Sequence, residues 1–384
     1  MALPALPPNT LRMLKICIPI ALVFLSLVYT LHVGSLAGPI QAIKNAASPA
    51  GRRGFSDMIY TLYEPIKLPV TAQHYTDQRG HTFDNGGRDY WKKPMGKDLL
   101  IVEIDTRNPS GENEIFNAKK LDWEAVRASG SGLLTVSHIN HFIYSQIHGY
   151  DYKFFHARKM ADHWDTWIKP HVLLEVLRDY KFVVFIDADA IIQHLEVPME
   201  FLFNRWSITP DTSIAMPIDT QQVMNDTGVN ISTDSKGNVV LNSGVVVLQN
   251  LPYTHEMLQA WAECTTEKRY PGCGKWKNRW SHEQRAFSEY IRYDFNPSGN
   301  NIVEIPCNDA NGYPGLFPKA GIIDDCKGEF IRHYTLNKPS AKASTGDVLM
   351  QSISELLQKN FARNEKDLLI EEAKAEPEPE PGAE

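Results

Sequence analysis

Cysteine is scarce in this chain, with five among 384 residues. That is too few for a scaffold held by disulfides, so an apolar core must hold the fold. There is no excess of basic charge either: 39 lysines and arginines stand against 46 aspartates and glutamates, a net −7. Residues 371–384 carry six Glu and one Lys, so most of that charge belongs to the C-terminal end and the body is close to neutral. A near-neutral body lacks the clustered basic face that nucleic acid requires, and no nucleic-acid partner is expected. Wholesale disorder is excluded by a hydrophobic content of 43%. At roughly 100–200 residues per domain, the length allows two or three domains at most.

Long apolar runs are absent but for one. Arg12 and Lys15 precede an uncharged stretch over residues 16–33, and a bilayer span needs about 20 mostly apolar residues. Basic residues on the short N-terminal side favour a cytoplasmic N-terminus. The expectation is a single-pass type II membrane protein: residues 1–13 a cytoplasmic tail, 14–33 a transmembrane signal anchor, the rest lumenal. The alternative is a cleaved signal peptide ending near Ser35 and Ala37, but its apolar core would run only about 7–15 residues. Both readings send the body into the secretory pathway. Two sequons agree, Asn225-Asp226-Thr227 and Asn230-Ile231-Ser232. Cys17 lies in the anchor and four cysteines lie beyond it. Those four allow three pairings, of which Cys264–Cys273 with Cys307–Cys326 closes the shortest loops. Four free buried thiols is the other reading, at odds with an oxidising compartment.

Residues 34–97 show little periodicity and are broken by Pro39, Pro49, Pro65, Pro69 and Pro94. They read as a stem spacing a catalytic domain from the bilayer. Residues 343–384 read as a C-terminal helix followed by an acidic tail, in which residues 376–381 alternate Glu and Pro and have no means of packing. Between these ends strand and helix alternate. Strands are predicted at residues 99–104, 152–155, 182–186 and 245–248, and helices at 137–148, 164–180 and around Trp261. Such alternation indicates an α/β domain over residues 98–342, with a Rossmann-like, mostly parallel sheet flanked by helices.

The run Phe182-Val183-Val184-Phe185-Ile186 ends in Asp187-Ala188-Asp189. Ligands of open α/β sheets bind in the crevice beyond the strand ends. Residues two apart in extended backbone point the same way, so both carboxylates can face one ion. Hard cations such as Mg²⁺ are held by one or two carboxylates plus substrate phosphates, and Mn²⁺ accepts the same oxygens. By the same strand-end rule, Asp105 and Thr106 are candidate contacts for a nucleotide base or ribose. Trp276 and Trp280 read either as a sugar-stacking platform or as core.

Asp187-Ala188-Asp189 after an apolar strand, with Trp167-Ile168-Lys169 and a Leu-rich helix before it, resembles the GT-A nucleotide-sugar glycosyltransferases. The resemblance is greatest to family 34, the α-galactosyl-, α-1,6-mannosyl- and xylosyltransferases. It continues in order through His148-Gly149-Tyr150, Asn242-Ser243-Gly244, Glu283-Gln284, His333 and Lys338, covering about residues 98–340. His282-Glu283-Gln284 departs from the two Asp that more often precede this Gln.

The resemblance implies a GT-A fold and a metal-dependent transfer, with retention, of a hexose or pentose from a nucleotide-sugar (UDP-galactose, GDP-mannose or UDP-xylose) to a glycan or glycoprotein acceptor. Asp187, Asp189 and His333 would hold Mn²⁺ or Mg²⁺. Ala188, Asn242, Gly244 and Lys338 would contact the donor together with the two carboxylates, Lys338 neutralising phosphate. Glu283 and Gln284 would be the catalytic pair, Glu283 lying near the anomeric carbon or the acceptor hydroxyl. A Golgi membrane location and association with itself or with other glycosyltransferases are further implications. Two other classes compete. Asp187 and Asp189 with the later Gly321-Ile322-Ile323-Asp324-Asp325 also resemble the haloacid-dehalogenase phosphatases, in which the first Asp is a nucleophile. A non-catalytic glycan-binding relative is the third reading.

Overall fold

The computed structural model describes residues 50–372 apart from Ser129, Ser131 and Asn225. The expected anchor at 14–33, the acidic repeat at 376–381 and the sequon residue Asn225 lie outside the described residues. Among the described residues no helix is long and apolar enough to cross a membrane. The chain divides into two units at Ser56/Asp57, and the sheet, the cores and the cleft below all belong to the second.

The central sheet forms where the apolar runs are. Strand β3 (Leu99–Asp105) pairs in parallel with β4 (Asp151–His156) on one side and with β5 (Phe182–Ile186) on the other. Beyond β5 come β8 (Val245–Gln249), β7 (Ile214–Pro217) and β9 (Ile302–Ile305), completing six strands. Alternate residues feed two cores. Ile101, Phe182, Val184, Val245 and Val247 enter one, while Val102, Val183, Phe185, Val246 and Leu248 enter the other. Both faces are covered, so β5 has no polar alternation to show.

One expectation needs refinement. The sheet is mostly parallel, but β8 runs antiparallel to both neighbours. Among the described residues the connection from β7 to β8 holds no helix, unlike the usual crossover between parallel neighbours. A two-stranded ribbon outside the sheet pairs β6 (Ala190–Ile192) with β10 (Ile331–His333), placing Ala190 opposite His333.

The helices cover the sheet. Against the first core lie α2 (Leu133–His148) and α4 (Met199–Arg205); against the second lie α3 (Ile168–Val176) and α5 (Pro252–Ala262). Gly149 ends α2 in the left-handed region at φ 75°, where its N–H reaches the carbonyls of Ser145 and Gln146. Only glycine takes that position without strain, and the chain turns there directly into β4.

The stem reading of residues 34–97 fails for its second half. Helix α1 (Ala50–Tyr63) and the hairpin of β1 (His74–Thr76) with β2 (Thr82–Asp84) precede the sheet. Tyr63, Ile66, Tyr75, Trp91 and Met95 are buried in the same core as β5. Trp91 packs edge-on against Phe182 with centroids 5.0 Å apart, and its indole N–H donates to the Ile208 carbonyl at 2.7 Å. Ile59, Tyr63 and Ile66 recur at helical spacing, but Tyr75, Trp91 and Met95 sit singly and carry no periodicity. At the other end the expected C-terminal helix, Pro339–Arg363, packs on α2 through Ala341, Thr345 and Val348. Both disulfides form with the short-loop pairing, Cys264–Cys273 and Cys307–Cys326.

Candidate functional site

Beyond the ends of β3 and β5 opens a cleft of about 590 Å³. All but one of the residues expected to bind donor or metal, or to act catalytically, line it: Asp105, Thr106, Asp187, Ala188, Asp189, Asn242, Glu283, Gln284, His333 and Lys338. Gly244 itself sits just behind, against His333.

The centre is carboxylate-rich. Asp187, Asp189 and His333 each present one ligand atom, all within 4.8 Å of one another. The ribbon makes this so: Asp189 leads into β6, His333 ends β10, and Tyr334 N–H donates to the Asp189 carbonyl at 2.8 Å. His333 Nε2 lies 3.3 Å from an Asp189 oxygen and 4.0 Å from one of Asp187. Lys338 Nζ is paired with the other Asp189 oxygen. Burial works against a charged Asp189, yet His333 and Lys338 outweigh it and hold the carboxyl far below the usual range. Burial likewise lowers the His333 pKa, and the Asp189 carboxylate more than reverses it, so the imidazole is raised above its ordinary value. Two carboxylates and an imidazole make an oxygen-rich donor set that fits a divalent ion of the Mg²⁺ or Mn²⁺ type. Gly244 makes room for that imidazole. A Cβ at this position would stand 2.2 Å from His333 Cε1 and 2.8 Å from Nδ1, a nitrogen that is buried without a partner.

On the floor of the cleft, Glu283 and Gln284 were expected from the sequence, whereas the roles of Lys169 and Asp219 were not. Lys169, in the first turn of α3, reaches 3.0 Å from Asp187, 3.5 Å from Glu283 and 3.3 Å from the Ser243 carbonyl. Its side chain is 6% exposed. Burial lowers its pKa, but Asp187 and Glu283 together raise it above the ordinary lysine value, so it is a fixed cation between two carboxylates. The Glu283 carboxylate also accepts from Ser243 Oγ at 2.8 Å and from Thr166 Oγ1. Gln284 bridges the Ser243 N–H at 3.0 Å and Asp219 at 2.8 Å, so it fixes the Asn242-Ser243-Gly244 turn. Asp219 further accepts from the side-chain amides of Asn242 and Asn311. Asp219 follows β7 and could have been found by the strand-end rule; Lys169 was quoted only as part of a motif.

At the outer end, Asp105 is paired with Arg107, and Thr106 Oγ1 donates to Asp165 at 3.2 Å. The two tryptophans considered as a platform part company. Trp276 is buried in the second core, whereas Trp280 is 63% exposed on the cleft wall. An unforeseen partner, Trp164, stacks flat on His282 with centroids 4.7 Å apart and is 53% exposed. Asn230 is half-buried, its amide donating to Gln221 at 3.3 Å. Asp324 and Asp325 are not among the residues lining the cleft. Asp324 accepts the Gln221 N–H at 2.6 Å, and its neighbours Cys307 and Cys326 are joined in a disulfide and so cannot ligate an ion.

Residues 117–351 match the model of the galactosyl transferase GMA12/MNN10 family, and the chain belongs to that family of glycosyltransferases. A search of curated proteins finds no match. Among solved structures the chain is similar to a glycosyltransferase involved in the glycosylation of the major capsid of PBCV-1, with 12% identity and a TM-score of 0.41 over 66% of this chain and 98% of that one. It is also similar to mouse xyloside xylosyltransferase 1, with 13% identity and a TM-score of 0.36 over 64% and 99% of the two chains. For the galactosyltransferase LgtC the identity is 11% and the TM-score 0.36, over 65% and 95%.

Proposed function

We propose that this protein transfers a hexose or pentose, with retention at the anomeric carbon, from a nucleoside-diphosphate sugar to a hydroxyl of a glycan acceptor. UDP-galactose, GDP-mannose and UDP-xylose are the donors to consider. The observation that carries the reading is the convergence of Asp187, Asp189, His333, Lys338 and Glu283 in one cleft beyond the strand ends. Asp187, Asp189 and His333 would hold Mn²⁺ or Mg²⁺. When bound, such an ion acts as a Lewis acid for a departing diphosphate and lessens its charge without proton transfer.

The protein's own residues divide the remaining work. Lys338, half-exposed at the cleft wall, exchanges its Asp189 partner for a donor phosphate. Asp105, Thr106 and Arg107 at the end of β3 take the nucleoside. Lys169 holds the Glu283 carboxylate in place beneath the reacting carbon. There Glu283 serves either as a nucleophile or as the group that stabilises positive charge during same-face departure and attack. Trp280 and Trp164 offer aromatic faces to the acceptor. A lumenal, type II Golgi setting, with Asn225 or Asn230 glycosylated, completes the proposal.

The test is nucleotide release from a panel of UDP- and GDP-sugars, with Mn²⁺ and with chelator. Release that vanishes with chelator and with Asp189→Ala, in a variant that melts normally, is the expected result. Release indifferent to both would refute the site, and a β-linked first product by NMR would refute retention.

A further inference from the structure

The motif His148-Gly149-Tyr150 and the helix before it take no part in the chemistry above, yet α2 buries polar groups along one face. Four of its side chains grip the backbone that follows Asp189. His141 Nε2 lies 2.7 Å from the Ala190 carbonyl. Since a carbonyl only accepts, Nε2 carries the proton. Asn140 makes a two-point clamp on Ile192, donating to its carbonyl at 3.0 Å and accepting its N–H at 2.9 Å. Tyr144 donates to the Val197 carbonyl and His148 to that of Leu195, both at 2.8 Å.

We propose that α2 is the positioning rack of the carboxylate–imidazole site, with His141 and Asn140 as its positioning residues and Glu103 of β3 as its fixed base. The inference rests on the proposed role of Asp187, Asp189 and His333. Strands β6 and β10 have three residues each, and an isolated two-stranded ribbon of that size does not hold its register in water. One edge of β6 pairs with β10; the Asn140 amide takes the place of a missing strand on the other. Ala190, whose carbonyl His141 holds, follows Asp189 and sits opposite His333, so one bond fixes the spacing of two ligands. The rack is in turn tied to the central sheet. Glu103, buried in β3, accepts from Ser137 at 2.6 Å and Tyr152 at 2.7 Å, and lies 3.0 Å from His141 Nδ1 and 3.1 Å from His138 Nδ1. The His141 contact is an ion-pair distance, its angle not that of a hydrogen bond.

Two variants that each delete one helix-to-carbonyl bond separate positioning from plain stability. His141→Ala removes the bond at Ala190, and Tyr144→Phe removes the one at Val197. Amide hydrogen exchange, read by mass spectrometry on the ligand-free protein, should quicken at least about tenfold at residues 187–193 and 331–334 in His141→Ala. Tyr144→Phe should leave both segments unchanged. Calorimetric binding of UDP in the presence of Mn²⁺ should weaken about 10–100-fold in His141→Ala, the usual range for losing an outer partner of a metal site. His141→Gln, which keeps an N–H donor of similar reach, should recover most of that affinity. Should the alanine variant not fold, His141→Asn, polar but too short to span to Ala190, is read in its place. Equal exchange in the two segments for both variants, or an unchanged exchange pattern in His141→Ala, would overturn the rack. Exchange needs no ligand, so it decides the rack even if UDP proves not to bind and the glycosyltransfer reading itself falls.

Discussion

Gly244→Ala is the smallest change that tests the site. A methyl at this position would stand 2.2 Å from His333 Cε1, about 1.2 Å short of the 3.4 Å at which ordinary contact begins. Gly244 is not in the left-handed region, so alanine brings no backbone strain and the clash alone is at issue. The ring cannot simply swing away. It is buried, its strand is paired with β6, and its other edge faces Asp189. Overpacking of this kind costs about 1–3 kcal/mol. Displacing a positioned group by about 1 Å can cost on the order of 100-fold in rate.

Gly244→Ala should therefore melt a few degrees lower, and metal-dependent nucleotide release should fall by about two orders of magnitude. A double-mutant cycle isolates the cause. In a His333→Ala background the clash with the ring is gone and only the contact with Asn242 Oδ1, at 2.9 Å, remains, so the added loss from Gly244→Ala should shrink, leaving a coupling of about 1–2 kcal/mol. The assays are urea unfolding for stability and donor turnover against Mn²⁺ concentration for function. Wild-type turnover in Gly244→Ala, or losses that simply add in the double variant, would refute the placement of His333.

Three further outcomes follow from the same structure. Lys169→Met strips the cation from between Asp187 and Glu283; breaking a buried pair costs about 3–5 kcal/mol, and Mn²⁺ should restore part of the lost melting temperature because it replaces charge beside Asp187. Burial pushes the His148 pKa down to about 3 and that of His194 down to about 4, against 6.5 when unfolded. The unfolded chain then binds more protons, so stability is full above about pH 6.5 and falls toward pH 4 by about 1.4 kcal/mol per unit and per group; urea unfolding across that range should show a shallower slope in His148→Asn. Replacing Cys307 and Cys326 by serine opens a loop of 19 residues and should cost about 3 kcal/mol by chain entropy, seen as a lower urea midpoint without reductant and a smaller shift when reductant then opens Cys264–Cys273.

The sequence and the structure agree best where one residue type repeats. Five buried residues in a row made β5 legible, and the two aspartates after it inherited its certainty. His333 was different. A three-residue strand carries no periodic signal, and only its place in a family order marked it out. Residues 57–97 were misread because only the short run Ile59, Tyr63 and Ile66 is periodic, while Tyr75, Trp91 and Met95 reach the core one at a time. The rack helix was found for an incomplete reason. Ile139, Ile143 and Ile147 gave it helical spacing, but Ile139 and Ile143 are only half-buried, while Asn140, His141, Tyr144 and His148 lie fully inside. A polar residue in a helix reads as solvent-facing until the backbone it bonds is known, and that backbone lies about 50 residues further along the chain.

The two lysines of the cleft show why composition could not reveal the site's electrostatics. Each is paired with one aspartate of the Asp187-Ala188-Asp189 turn, yet their settings differ. Lys169 is walled in at 6% exposure and touches two carboxylates and a carbonyl, so withdrawing it would leave buried charge uncompensated. Lys338 is 46% exposed and touches Asp189 alone. Water can solvate its ammonium as it leaves, and the buried Asp189 keeps His333 at 3.3 Å as its other partner. On the proposed function a phosphate arriving beside Asp189 recruits Lys338, while Lys169 stays and offsets the repulsion between Asp187 and Glu283. Burial thus separates a lysine fixed in the fold from one that is free to serve a substrate in the proposed reaction.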